Sequence, residues 1–384
     1  MGGAFVGPDL TFLTDLLVKI DSRGFVDSIN EGASSRDVPP ENSFPTCGAT
    51  PSFVNAHIHT ADTILRDLAY GMELDDVVGT GGLKFRGLDS RKAMLLSGYR
   101  YLVEELWRSG IGVIADFREG GFEGVEVGKK AFNHSPLTYL PFGRPTEVGE
   151  LPTVLEASYG LGLSSTVPFT DDELLEIRSM ATSTQKMIAV HVGESRNEVD
   201  VSHRLYGQSD YSRAVDILGA DITIHHCYTT EQEILTAQPK SGIVLCPRSN
   251  AYFGLNIPTE LSKQLLEREG LFCLGTDNVM TTPPNLLDEL RFFILCLRQK
   301  QIVLDQKKAI KLITVVPAQV LGVYPRHGVI QEGSLADFLL WNLQSPRTRL
   351  GKDPLHNILF RATLLDLVGR VSHKIHSFST PNYL

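Results

Sequence analysis

No apolar run in this chain of 384 residues reaches the ~18 needed to cross a bilayer, which excludes a transmembrane helix. The N-terminal stretch MGGAFVGPDLTFLTDLLVKI lacks a basic region ahead of its apolar residues, so no secretory signal is expected. Positive charge is in deficit: 36 Lys and Arg stand against 45 Asp and Glu, a formal net charge of −9. That balance argues against non-specific nucleic-acid binding and against docking on an anionic membrane, while leaving room for a local basic pocket. Cysteine is scarce. The five (Cys47, Cys227, Cys246, Cys273 and Cys296) are odd in number and include no Cys-x-x-Cys pair, so buried free thiols in a reducing cytoplasm are expected. No Gly-x-Gly-x-x-Gly follows a strand-like run, which removes support for a dinucleotide-binding fold.

What is present is an ordinary globular composition, 42% hydrophobic and 21% charged. The length suits a barrel of roughly 250 residues plus a smaller unit. Short apolar runs bounded by Gly or polar residues recur at 53–59, 113–115, 186–192, 221–227, 242–247 and 270–277, and each reads as a strand. Helical patterns lie between them. Thr170 with Glu173 forms a capping-box signature. Leu286, Leu287, Leu290, Phe293 and Leu297 form an apolar stripe at helical spacing after Pro283-Pro284. Strand–helix alternation predicts a parallel sheet, either a barrel or a doubly wound sheet. The two ends are shorter, turn-rich and weakly strand-like. The expected architecture is therefore α/β: a (β/α)8 TIM barrel over 50–328, flanked by a small β-sandwich domain built from 1–49 and 329–384.

The chemistry gathers at strand ends. His57 and His59 close an apolar strand, and residues i and i+2 of a strand point to the same side, so both imidazoles reach one point. His191 ends 186–192, His226 ends the apolar part of 221–227, and Asp277 ends 270–277. In a (β/α)8 barrel the C-terminal strand ends converge on the face where active sites are built. Imidazole and carboxylate are the ligands of a divalent cation.

The ordered set Pro51-Ser-Phe-Val-Asn-Ala-His57-Ile-His59, His191-Val-Gly-Glu194, His226-Cys227, Cys246-Pro-Arg-Ser-Asn250, Gly275-Thr-Asp277 and Gly333-Ser-Leu-Ala-Asp337 resembles the amidohydrolase superfamily. It is most similar to the branch of chlorohydrolases and of cytosine-, guanine- and adenosine-type aminohydrolases. The resemblance implies that His57, His59, His191 and Asp277 bind one metal ion. It implies that His226 hydrogen-bonds the attacking water or the substrate, that Asp277 also accepts a proton, and that Glu194 shuttles a proton to a ring nitrogen. Adjacent strand residues face opposite ways, so only one of His225 and His226 lines the cavity readily. The family pattern, histidine directly before cysteine, favours His226. Binuclear relatives carry a carboxylated lysine at the end of the fourth strand. The corresponding stretch 157–165 contains none, which favours one metal.

Substrate contacts are less defined. Arg118, Arg144 and Arg248 follow predicted strands or turns and are candidates for an anionic or carbonyl group, with a solvated surface role as the alternative. Ser164 stands where many related aminohydrolases carry a histidine. Asn250 and Ser249 serve either a turn after Pro247 or the substrate. Gly79-Thr80-Gly81-Gly82 reads as a lid hinge or as an ordinary loop. Together these features predict a mononuclear aminohydrolase in which a metal-bound hydroxide attacks a purine-, pyrimidine-, pterin- or triazine-type heterocycle. Zinc is the default ion, with Fe2+, Mn2+ and Ni2+ compatible with the same ligands. The partner is a small heterocyclic substrate, and the sequence leaves a homo-oligomer open. The alternatives are hydrolysis of another C–N or C–Cl bond (imidazolone-type ring opening or chlorohydrolase chemistry) and a non-catalytic barrel scaffold.

Overall fold

The computed structural model describes residues 1–32, 38–66, 68–79, 81–236, 241–267 and 271–373. Thr80 of the candidate hinge, Gly270 and residues 374–384 lie outside them. The first strands are β1 (Gly3–Val6), β2 (Thr11–Thr14), β3 (Leu16–Ile20), β4 (Val26–Glu31) and β5 (Cys47–Pro51). The central ones are β6 (Phe53–His59), β7 (Ile111–Arg118), β8 (Thr138–Gly143), β9 (Gly160–Leu163), β10 (Met187–Val192), β11 (Ile222–His225), β12 (Gly242–Leu245), β13 (Phe272–Leu274) and β14 (Asp277–Asn278). Two more close the chain, β15 (Phe338–Asn342) and β16 (Leu367–Val371).

Strands β6 to β13 pair in parallel in chain order, and β14 returns to pair with β6, Asp277 opposite Ile58 and Asn278 opposite His59. β13 and β14 are two halves of one strand. Between them the Gly275 amide bonds to Leu245 O at 3.1 Å and the Thr276 amide to His57 O at 2.9 Å. The sheet thereby closes into an eight-stranded barrel. Gly275 is required at this seam, because a Cβ there would lie 2.8 Å from His57 Cβ. Inward residues such as Val54, Ala56, Val113, Phe117, Phe142, Ile222, Ile224 and Val244 fill the interior as one buried cluster. Helices cover the outside. The capping box at Thr170 opens Asp171–Ser183, and Asn285 caps Leu286–Gln299.

Several strand boundaries differ from expectation, among them β7, which extends over Ile111–Arg118 rather than 113–115. The run 221–227 is strand only to His225, and 242–247 stops at Leu245 because Pro247 opens the helix Pro247–Tyr252. The run 270–277 breaks at Gly275-Thr276. β8 carries no strand signature in the sequence, because Pro141 at its centre breaks the usual pattern.

Both ends of the chain build the second unit. A mixed sheet runs β16-β15-β5-β1-β2, and the β3–β4 hairpin packs on it around Leu16, Val26, Phe338 and Leu340. The Arg370 guanidinium joins this unit to the barrel. It pairs with Asp337 at 2.8 Å, donates to Ile111 O at 2.8 Å and lies 3.7 Å from the Trp107 ring centroid. No helix among the described residues is long and apolar enough to cross a membrane.

Candidate active site

Val54 and Ala56 belong to the interior cluster, yet His57 and His59 also face inward. A register shift between Asn55 and Ile58 in the β6–β7 pairing changes the phase of the strand. His57 Nε2 lies 3.3 Å from Asp277 Oδ1 and 3.2 Å from His191 Nε2. His59 Nε2 lies 3.5 Å from the same Asp277 oxygen. His191 Nδ1 donates to Leu163 O at 3.3 Å, which leaves its Nε2 lone pair facing the others.

The choice of His226 is overturned by the geometry. Ile222 and Ile224 point inward, so simple alternation would bring residue 226 in as well. Instead His225 and His226 take left-handed backbone at φ +81° and +54°. The strand ends there and the phase flips. His225 Nε2 faces Asp277 Oδ2 at 3.4 Å and Glu194 Oε1 at 3.9 Å, while Nδ1 donates to Asn250 Oδ1 at 3.1 Å. The His226 ring turns outward against Tyr211, centroids 5.5 Å apart. Asp277 also sits at positive φ, +57°, which aims its carboxylate across the barrel mouth.

His57, His191, His225 and Asp277 bring one ligand atom each within 4.8 Å of one another. This is a mononuclear site of three histidines and one aspartate. His59 stands at its rim, outside that tightest set but within reach of Asp277. Burial pushes His57 down to about 3 and His191 well below the usual imidazole range, so both are neutral bases at neutral pH. Burial alone would raise the Asp277 carboxyl, but His225, His57 and His59 outweigh it and hold it far down. Burial also opposes a charge on His225, yet Asp277, Glu194 and Asn250 bring it up to about 9. The donor set fits a divalent cation. Asp277 Oδ1 is buried without a hydrogen-bond donor among the described residues and faces imidazole nitrogens, and a cation would satisfy all of them together.

Several groups orient these ligands. Ser249 Oγ donates to Asp277 Oδ2, and Asn250 receives His225, so both act on ligand-bearing residues. Glu119, at the end of β7, accepts from His59 Nδ1 at 2.7 Å and is paired with the buried Lys84. Lys84 and His59, with Arg118, outweigh the cost of burial and hold the Glu119 carboxyl well down. Neither Lys84 nor Glu119 was legible in the sequence. Glu119 follows an apolar strand and resembles any strand-end carboxylate, and Lys84 sits in a polar helix whose pattern gives no sign that this lysine is buried.

A cavity of about 540 Å3 adjoins the site, lined by Glu194, Glu198, Ser164, Ser165, Arg144 and Phe85 among others. Burial raises the Glu194 carboxyl, and burial with the neighbouring Glu194 and Asp210 pushes Glu198 up to about 8. Arg144 and Ser164 thus line the same cavity as Glu194. Arg118 is buried, donates to Gly124 O at 2.8 Å and borders a separate 400 Å3 cavity with Arg144. Arg248 donates to Pro283 O at 3.2 Å and lines neither cavity.

Residues 49–368 match the sequence model described as the Amidohydrolase family. An uncharacterized protein of Methanocaldococcus jannaschii is 30% identical over 302 residues, 75% of this chain and 77% of that one. The 5'-deoxyadenosine deaminase of Methanopyrus kandleri is 24% identical over 394 residues, 96% of this chain and 90% of that one. Among solved structures, a zinc-bound adenosine deaminase from Xanthomonas campestris shares the fold with a TM-score of 0.86 at 19% identity, covering 99% of this chain and 91% of that one.

Proposed function

This chain belongs to the amidohydrolase family, and from that premise and the geometry at the barrel mouth we propose that it is a metal-dependent aminohydrolase of nitrogen heterocycles. Glu194 carries the reading. It is a carboxyl of raised pKa, 3.9 Å from His225 and bordering both the metal site and the 540 Å3 cavity. A cavity of that size suits a nucleoside-sized ligand, within the ~300–1,000 Å3 of small-molecule sites. The names of the deaminases similar to this chain support an adenosine-type ring.

We propose that the cation would be held by His57, His59, His191 and Asp277 Oδ1, and that His225, although its ligand atom belongs to the tightest cluster, would face Oδ2 beside the ion. A divalent cation bound there would supply the nucleophile by lowering the pKa of a water toward ~7. Asp277 Oδ2 would accept a proton from the attacking water, and the His225 Nε2–H beside it would orient that water by donating a hydrogen bond. Glu194 would give a proton to the ring nitrogen as the C–O bond forms, take the proton of the added hydroxyl as the carbonyl forms, and pass it to the amine, which leaves as ammonia. Arg144 and Ser164 border the space where the rest of the substrate lies. Zinc is the proposed ion. Five free cysteines support a cytoplasmic setting, and the net charge of −9 supports the absence of a nucleic-acid partner.

The test combines metal analysis with an ammonia-release screen over purine nucleosides, pyrimidines, pterins and triazines. About one zinc per chain is expected, with ammonia from at least one adenosine-type substrate. Glu194→Gln should lower kcat by ~10²–10⁴-fold with metal content unchanged. Chloride or a ring-opened product in place of ammonia would replace deamination with the other chemistry of this fold. Parent-rate turnover by Glu194→Gln would remove the proton-shuttle role.

A further inference from the structure

His59 is the member of the metal site that stands furthest out, so its contribution depends on what holds its ring. Nδ1 donates to Glu119 Oε1 at 2.7 Å, which leaves the Nε2 lone pair directed at the site. That same Glu119 oxygen is 2.5 Å from Lys84 Nζ. Lys84 comes from the helix Leu83–Arg91 and is only 3% exposed. A buried ammonium is costly unless paired, and every partner of this one adjoins a ligand-bearing segment. Glu119 binds His59. Asp62, 3.4 Å away, follows His59 in the next turn. Asn278, whose Oδ1 is also 3.4 Å away, follows Asp277 and pairs with His59 across the barrel seam.

We propose that Lys84 is a positioning residue of the metal site, acting through Glu119 to hold the His59 ring with Nε2 toward the ion and through Asn278 to fix the Asp277 side of the seam. This rests on the reading of His59 as a ligand. A lysine that merely filled a buried gap would not link one carboxylate oxygen to a ligand imidazole and also reach the strand that carries the aspartate. Removing its charge frees Glu119 to turn toward Arg118, whose Nη1 is 3.7 Å from the other oxygen. His59 would then lose the acceptor that sets its tautomer.

The experiment measures zinc affinity by competition with a chromophoric chelator, together with the visible absorption of the cobalt(II)-loaded protein and a thermal melt. Outer partners of metal ligands typically contribute ~10–100-fold in affinity. Lys84→Met and Glu119→Gln should each weaken zinc by that order and alter the cobalt spectrum. Lys84→Arg should recover most of the affinity. Because the two residues share the path to His59, the double variant should lose less than the product of the two single losses. Should Lys84→Met not fold, Lys84→Gln takes its place. A folded Lys84 variant with parent affinity, or a double variant whose loss is the product of the two single losses, overturns the proposal. Parent protein that binds no zinc overturns the metal-site reading and this one with it, and so separates the two failures.

Discussion

His225 and His226 are neighbours in the chain with opposite surroundings. One touches Asp277, Glu194 and Asn250; the other packs on Tyr211 behind the strand. The difference comes from two consecutive left-handed residues, a backbone that costs ~1–3 kcal/mol each at non-glycine positions and persists where surrounding contacts impose it. Burial pushes His226 down to about 3, so it is a neutral packed ring at physiological pH. His225→Asn is therefore expected to lower kcat by at least ~10²-fold on any substrate the screen identifies. His226→Asn should leave kcat near the parent value and lower Tm. Steady-state kinetics and melts of both variants check this, and the reverse ranking would restore the histidine that the sequence motif favours.

The short helix Pro247–Tyr252 shows how an element positions chemistry that none of its residues performs. It carries Ser249 to Asp277 and Asn250 to His225. Pro247 supplies a pre-set first turn, but Cys246 at the N-cap offers no side-chain acceptor. Glu289, reaching across from Leu286–Gln299, accepts the Arg248 amide at 2.6 Å instead. Burial pushes the Glu289 carboxyl up to about 8. In the unfolded chain it titrates near ~4.3. Between those values the native state holds a proton that the unfolded state has lost, so stability falls as pH rises through that window and levels above about 8. Glu289→Gln stays neutral throughout. The Tm of the parent, measured against this variant, should decline from about pH 5 to about 8 and then flatten. A pH-independent difference would show that Glu289 is ionised in the native state.

At the scale of the whole molecule, the barrel and the terminal sheet meet through a buried ion pair. Arg370 of β16 binds Asp337, the Ile111 carbonyl and the Trp107 ring, and Ser52 Oγ donates to Asp337 at 2.7 Å. Against the cost of burial, Arg370, then Ser52 and His327, hold the Asp337 carboxyl down. Breaking one partner of such a pair leaves an uncompensated buried charge, at ~3–5 kcal/mol. Arg370→Met is expected to lower unfolding free energy by that order in guanidinium titrations, with zinc content of the folded protein unchanged. Replacing both partners with apolar residues should recover part of the loss. A neutral Arg370→Met would mean that the joint is held by the apolar contacts alone.

The family, the barrel and the β unit built from both ends were legible in the sequence, and so were the strand-end residues proposed here as metal ligands. Those rest on local signals: apolar runs of strand length, a capping box at Thr170, and His57, His59, His191 and Asp277 at strand ends. Only the tertiary structure decided which of two adjacent histidines enters the site. That choice depends on a phase flip at the end of β11, and alternation along a strand cannot register a left-handed residue that ends it. The tertiary structure alone also brought in Lys84, Glu119 and Glu289. Each lies far along the chain from the group it orients, in a segment whose composition is that of an ordinary helix or loop. Their roles come from closure of the barrel, which sets Asn278 beside His59 and folds the Leu83–Arg91 helix over the seam, where a buried charge must find its partners.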